Sequence, residues 1–402
     1  MSFFSHFAWN ITEKTEVKLR NSMLKCKMRR IDPIFPPKWK YRIILFLLIV
    51  IIGTWIYLSR SVVNEPERNF DSLWETFDRY YSNFECKNVN WDNLYSIYRK
   101  KVTPETTNRR LFKIMTELLE HLDDKHVYIH KFNKVYFSGY DLPPLNYFQL
   151  LKFDFRMPIK DFSLKLIKRK YIKDKLKKAF SVKQLTVPPF GLRHIFHYGW
   201  LDHSIAYIYI SEMRNDKKKT EMVINEIIDY FQNPKAYIID IRDNIGGYAN
   251  PIKSLVEKFT DMPRIFAISY TRSGPGHEDF SEPQYKSIKP DDKLNLSHVS
   301  VILLTNKNTQ SAAELFTLMM RTLPNVTIVG DYTTGIFSDT RVYHLPNGWE
   351  YRLSIMKTTD YEDIWLEDKG IAPDIFIKNT KEDIKQGIDK VLEKAIDLVV
   401  SD

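Results

Sequence analysis

Residues 236–247 read AYIIDIRDNIGG, and the reading of this stretch decides the fold. Ala236 to Ile241 is short and almost continuously apolar, the pattern of a strand covered on both faces; a strand with one wet face would alternate. The closing glycine pair predicts a tight turn, since glycine takes positive φ at little cost. Outward from here, Ile205 to Ile210 (IAYIYI) is a second strand, followed by a helix carrying Met222, Val223, Ile227, Ile228 and Phe231 on one face. Downstream come a helix near Ile252 to Phe259, a strand near Ile265 to Ile268, and a strand at Val299 to Leu304 (VSVILL). A helix from Ser311 and a strand at Val326 to Val329 continue the series. This alternation predicts an α/β core with a mostly parallel sheet over residues 200–399. Two further strands, near Arg341 to His344 and Tyr351 to Ile355, precede a C-terminal helix from about Lys381 to Val399.

Upstream of the core the chain changes character three times. Residues 131–199 carry little periodic signal and include KLIKRKYIKDKLKK (Lys165 to Lys178), a basic stretch whose ordinary meaning is a solvated face. Residues 66–130 predict a small helical subdomain. Phe70, Leu73, Trp74, Phe77, Tyr80 and Tyr81 share one helix face, and Thr103-Pro104 offers an N-cap and first-turn proline for a helix through Leu111, Met115, Leu118, Leu119 and Leu122. Residues 43–59 are apolar and uncharged between Arg42 and Arg60, with Trp39, Tyr41, Trp55 and Tyr57 at the ends, the pattern of one transmembrane helix.

The formal charge of +10 is unevenly placed. Residues 1–42 hold ten Lys and Arg against Glu13, Glu16 and Asp32, so this tail supplies most of the excess and the remainder is nearly balanced. A nucleic-acid partner is therefore not expected. The positive tail predicts an uncleaved anchor with a cytoplasmic N-terminus, so that everything after Arg60 lies outside the cytoplasm, in the periplasm of a bacterial inner membrane. Cys26 and Cys86 fall on opposite sides of the apolar span, which leaves no disulfide framework and no cysteine metal site.

Two loops at the carboxyl ends of predicted strands have the composition of a site: Arg242 to Gly247 and Asn306 to Ser311 (NKNTQS). Ser311 opens the helix SAAELFTLMMRTL, and Ser-Ala-Ala-Glu reads as a capping box with Glu314. That role is compatible with a second one, because a serine at a strand-to-helix turn is exposed where the helix N-terminus favours developing negative charge.

Taken in order, YIIDIRDNIGG, NTQSAAELF, VTIVGDYTTG and GIAPDI resemble four motifs of the C-terminal-processing, tail-specific and tricorn-core serine peptidases, a fold shared with a retinoid-binding protein. Residues 70–102 resemble the helical subdomain of the tricorn-like branch, and LLEHLDDKHVYI its Asp-x-His element. The resemblance implies Ser311 as nucleophile, the backbone N–H groups of Gly246 or Gly247 and of Ala312 as oxyanion hole, and no metal or cofactor. The lysine that activates the serine in one branch is missing after Thr333-Thr334-Gly335. The tricorn-like branch instead implies His126 as general base and Glu367 as part of the relay, with Lys125 standing where that branch has a serine. No carboxylate-binding loop of a PDZ module is legible in residues 131–199. The resemblance implies a serine endopeptidase acting on peptides or unfolded and tail segments; the alternative is a non-catalytic member of the fold that binds peptides or apolar ligands. Oligomeric state is left open.

Overall fold

The computed structural model of the chain describes residues 38–63, 65–131, 134–140, 145–146, 183–185, 196–201, 204–213 and 216–401. The basic tail 1–37, most of 131–199 with its lysine-rich stretch, and the expectation about a PDZ module lie outside these residues.

Five strands run parallel: β6 (Ile205–Ile210), β7 (Ala236–Asp240), β10 (Ser300–Thr305), β11 (Val326–Gly330) and β15 (Ile375–Phe376). The sheet order is β15-β11-β10-β7-β6-β5-β4, with β5 (Phe196–Leu201) and β4 (Lys183–Leu185) added antiparallel at one edge. Register aligns Ile208, Ile239, Leu303 and Ile328 in one row across four strands. That row packs under helices α6 (Lys217–Tyr230), α7 (Ala249–Val256) and α8 (Ala312–Arg321). The alternate residues Tyr207, Ile238, Ile302 and Val329 pack on the other face against Val391, Leu392, Ala395 and Val399 of α10 (Lys390–Ser401). Both faces are covered, which is why these strands read as continuous apolar runs.

Two smaller sheets stand apart from this core. The strand predicted near Ile265 to Ile268 is β8 (Arg264–Thr271), and it does not join the parallel sheet. It pairs antiparallel with β9 (Gln284–Ile288) and β14 (Met356–Asp360). A local apolar run cannot say which sheet a strand will enter. The hairpin β12 (Thr340–His344) and β13 (Glu350–Ser354) instead pairs with β1 (Tyr128–Lys131), which leads to β2 (Lys134–Phe137) and β3 (Leu145–Asn146).

That pairing ties the two ends of residues 63–402 together, and these residues form one compact unit. Helices α2 (Pro66–Tyr80), α3 (Phe84–Lys87), α4 (Trp91–Tyr98) and α5 (Asn108–Glu120) bury Phe70, Leu73, Phe77 and Leu118 in a core that also takes Leu345, Trp349, Tyr351 and Leu353 from the hairpin.

Three local expectations are corrected. The second helix is capped by Thr107, whose hydroxyl accepts from the Arg110 N–H at 3.3 Å, rather than by Thr103; Thr103 and Thr106 form a turn of their own. On α6 the buried positions are Thr220, Ile224, Ile227 and Ile228, while Met222 is 63% exposed, because the covered stripe is narrower than the apolar composition suggested. The C-terminal helix is two, α9 (Lys381–Gln386) and α10, broken at Gly387 (φ +73°), where Asp389 turns in to meet a buried arginine.

The first compact unit, residues 1–62, contains most of α1 (Lys38–Val63). Of the expected span 43–59, side chains are described only to Thr54, and those are exposed. Among the described residues no helix is long and apolar enough to cross a membrane.

Candidate active site

Ser311 follows β10 and caps α8 with φ +53° and ψ −121°, a conformation that non-glycine residues hold only when the surroundings enforce it. Glu314 is part of that enforcement. Its carboxylate accepts from the N–H groups of Ser311 (3.0 Å), Gly335 (2.6 Å) and Ile336 (2.9 Å) and from the Thr333 hydroxyl (2.6 Å). Burial pushes the Glu314 carboxyl above its ordinary value, and the four donors oppose that shift. The capping box expected from Ser-Ala-Ala-Glu therefore also anchors the Thr-Thr-Gly turn.

The two site loops are laced to each other. Asp243 N–H donates to Asn306 Oδ1 (3.0 Å), Asn306 Nδ2 returns to Asp243 Oδ1 (2.8 Å), and Gln310 N–H donates to the Asn244 carbonyl (2.9 Å). The glycines are thereby held against the serine. A Cβ on Gly246 would lie 2.6 Å from the Gln310 carbonyl oxygen and 2.7 Å from the Ala312 nitrogen, so only glycine fits. The Gly246 N–H is committed to Asn244 Oδ1 at 2.8 Å. Of the sequence-predicted oxyanion donors, this leaves Gly247 (φ +130°) and Ala312.

His126 meets this assembly from the opposite end of the chain. Its Nε2 is 3.2 Å from Ser311 Oγ, across 185 residues of sequence. The histidine is held through its backbone: its N–H donates to Asp124 Oδ1 (2.8 Å), and its carbonyl accepts from Arg352 Nε (2.7 Å). Burial, with the nearby Arg352 charge, pulls the imidazole down to about 4, although Asp124 acts in the other direction. The ring is therefore neutral at pH 7 and able to accept a proton. With Nε2 accepting from the hydroxyl, Nδ1 carries the proton, and it is buried without a hydrogen-bond partner.

Glu367 does not orient the ring. It is 3% exposed, and its carboxyl accepts from the Phe337 N–H (2.8 Å) and from Asn83 Nδ2 (3.2 Å). Burial, with Asp124 nearby, pushes it well above the ordinary range. Asn83 Nδ2 also reaches Asp124 Oδ2 (3.4 Å), which in addition accepts from the hydroxyls of Tyr81 (2.9 Å) and Ser354 (2.8 Å). Asp124 and Asn83 are the residues that motif reading left without a role. The aspartate of Asp-x-His was the available signal for the first, and no local signal marked the second.

Beside Ser311 a cavity of about 460 Å³ is walled by Phe266, Leu315, Met319 and Phe337, with Gly247 and Ala312 at the serine. It is large enough for a side chain of an extended peptide. Among the described residues no group of three or more His, Cys, Asp or Glu is placed to hold a metal ion.

Comparison with known proteins gives the same grouping. Residues 204–377 match the sequence profile of peptidase family S41, and residues 63–120 match that of the Tricorn protease C1 domain. The chain is 25% identical over 182 residues to the carboxy-terminal processing protease CtpB of Bacillus subtilis (strain 168), covering 44% of this chain and 34% of that one. It thus spans about a third of the length of the curated relatives it matches. A candidate peptidase of Parabacteroides merdae ATCC 43184 superposes with a TM-score of 0.65 at 26% identity, covering 83% of this chain and 96% of the other. A lipoprotein from Streptococcus agalactiae shares the fold at 17% identity and a TM-score of 0.52, covering 84% and 96%.

Proposed function

The chain belongs to peptidase family S41, and we propose that it is a membrane-anchored serine endopeptidase that cleaves peptides or unfolded and tail segments of proteins outside the cytoplasm. The observation that carries the proposal is the 3.2 Å approach of His126 Nε2 to Ser311 Oγ at a helix N-terminus beside a cavity of mixed apolar and polar lining. In this mechanism the neutral imidazole takes the hydroxyl proton as Oγ attacks the scissile carbonyl. The N–H groups of Gly247 and Ala312 receive the oxyanion, which acts on the barrier because the charge exists only in the transition state. The imidazolium then protonates the leaving amine, and water releases the acyl-enzyme by the reverse proton path. Glu367 supports the pocket wall through Phe337 instead of completing a triad. The anchor rests on the apolar run 43–59 and its basic flank, which orient the fold away from the cytoplasm.

One observation favours a second reading, a non-hydrolysing peptide-binding member of the family: the unpartnered Nδ1 of His126. Labelling of the detergent-solubilised chain by a fluorophosphonate separates the two. The expected result is modification of Ser311, abolished in Ser311→Ala and His126→Ala. A folded wild-type chain that takes no label refutes the peptidase.

A further inference from the structure

Lys125 stands beside the base where the sequence pattern called for a serine, and its side chain does not enter the hydrogen-bonded site. It lines a second cavity of about 430 Å³, together with Lys307, Lys369, Lys378, Tyr332 and Phe376. Two of its lining residues are linked to the Ser311–His126 pair through the backbone. Lys125 is bonded to His126, and Thr334, on its wall, donates its N–H to the carbonyl of Thr309, two residues before the nucleophile.

The charges of this cavity are not balanced within the described residues. Lys125, Lys307 and Lys378 have no carboxylate partner there, and the Lys369 ammonium reaches only the Trp365 carbonyl at 3.3 Å. Two aspartates share the lining. Asp368 is already paired with Lys87 at 2.6 Å, while Asp331, whose Oδ1 accepts from the Tyr332 N–H, offsets one of the four lysine charges. The aromatic rings add apolar surface in contact with water: Tyr332 is 46% and Phe376 56% exposed, with ring centroids 6.3 Å apart. Four lysines against two aspartates leave the lining net positive, and burial already pulls Lys125 below its ordinary value. A carboxylate arriving there relieves both effects.

We propose that this cavity is a substrate subsite for acidic side chains, placed to receive glutamate or aspartate a few residues from the bond cleaved at Ser311. It rests on the peptidase reading only in naming the ligand as substrate. Lys125 is then a specificity residue and takes no part in the proton relay.

The test uses the full chain in detergent and two fluorogenic peptides identical but for glutamates or glutamines flanking the scissile bond. The glutamate peptide is expected to have kcat/KM about tenfold higher at low salt, with the ratio falling toward one near ~0.5 M salt. Lys307→Glu combined with Lys378→Glu should reverse the ratio. Equal kcat/KM for the two peptides in the wild-type chain, or an unchanged ratio in the double variant, overturns the proposal. Binding of the same peptides to the Ser311→Ala chain by fluorescence anisotropy separates this from the peptidase reading. Tenfold tighter glutamate binding without any wild-type turnover sinks hydrolysis and keeps the subsite. Turnover with no discrimination sinks the subsite and keeps hydrolysis.

Discussion

Acidification tests the placement of His126 directly. The imidazole is 7% exposed and drawn from 6.5 to about 4, chiefly by burial. Its folded-state value lies below its unfolded one, so the folded chain binds fewer protons in this window. The stability contribution is complete above about pH 6.5 and is lost as pH falls toward 4. That difference corresponds to about 3 kcal/mol, most of which, about 2 kcal/mol, is lost between pH 7 and pH 4.5. Urea unfolding of the wild-type chain and of His126→Gln at both pH values isolates this quantity. Glu367, raised in the folded state, gains stability on acidification, but it is present in both proteins and drops out of the comparison. The wild type should lose about 2 kcal/mol more than the variant. Fluorophosphonate labelling should in parallel persist to about pH 5 and fall with a midpoint near 4. Equal losses in the two proteins, or a labelling midpoint near 6.5, would show that the ring is solvated and that the buried-base argument is wrong.

Other expectations follow from named contacts. Gly247→Ala places a Cβ against the Met213 carbonyl at φ +130°, so labelling should vanish and the thermal midpoint drop, for a cost of at least ~3 kcal/mol. Asp389→Asn removes one carboxylate from Arg242, which is 3% exposed and held at 2.8 Å by both Asp389 oxygens. Denaturant unfolding should show a loss of about 3 kcal/mol. Asp124→Asn disturbs a carboxylate that serves His126 N–H, Tyr81, Asn83 and Ser354. The labelling rate should fall at least about tenfold, with a stability loss of about 2 kcal/mol by urea unfolding.

The parallel sheet was legible because its strands are covered on both faces and therefore carry an unambiguous apolar signature, as Ala236 to Ile241 shows. Ser311 and the glycines were legible as a helix cap and a tight turn, and only the resemblance of the ordered motifs to a family pointed to them as a site. The partners of β8 and β12–β13 were not, since pairing is decided by tertiary contacts that no local period encodes. Motif order pointed to His126 and Glu367, and both are buried in the structure. It did not reveal what each touches: Glu367 reaches Phe337 and Asn83, across 284 residues in the latter case, rather than the imidazole. The function of Lys125 was equally hidden, because a lone lysine in a loop reads as solvated until a cavity is seen around it.

The pairing of β1 with β13 has a consequence for the life of the chain before it is finished. His126 lies just before β1, and that strand is held by residues 350–352, with Arg352 fixing the His126 carbonyl. The chain is made from its N-terminus, so the imidazole emerges long before the strand that seats it, and the nucleophile also precedes that strand. A nascent or truncated polypeptide ending before Glu350 therefore owns both groups but lacks the strand and the Arg352 contact that seat the histidine. The seating of His126 against Ser311 is therefore completed only with the last part of the sequence, so this topology delays assembly of the pair until synthesis is nearly finished.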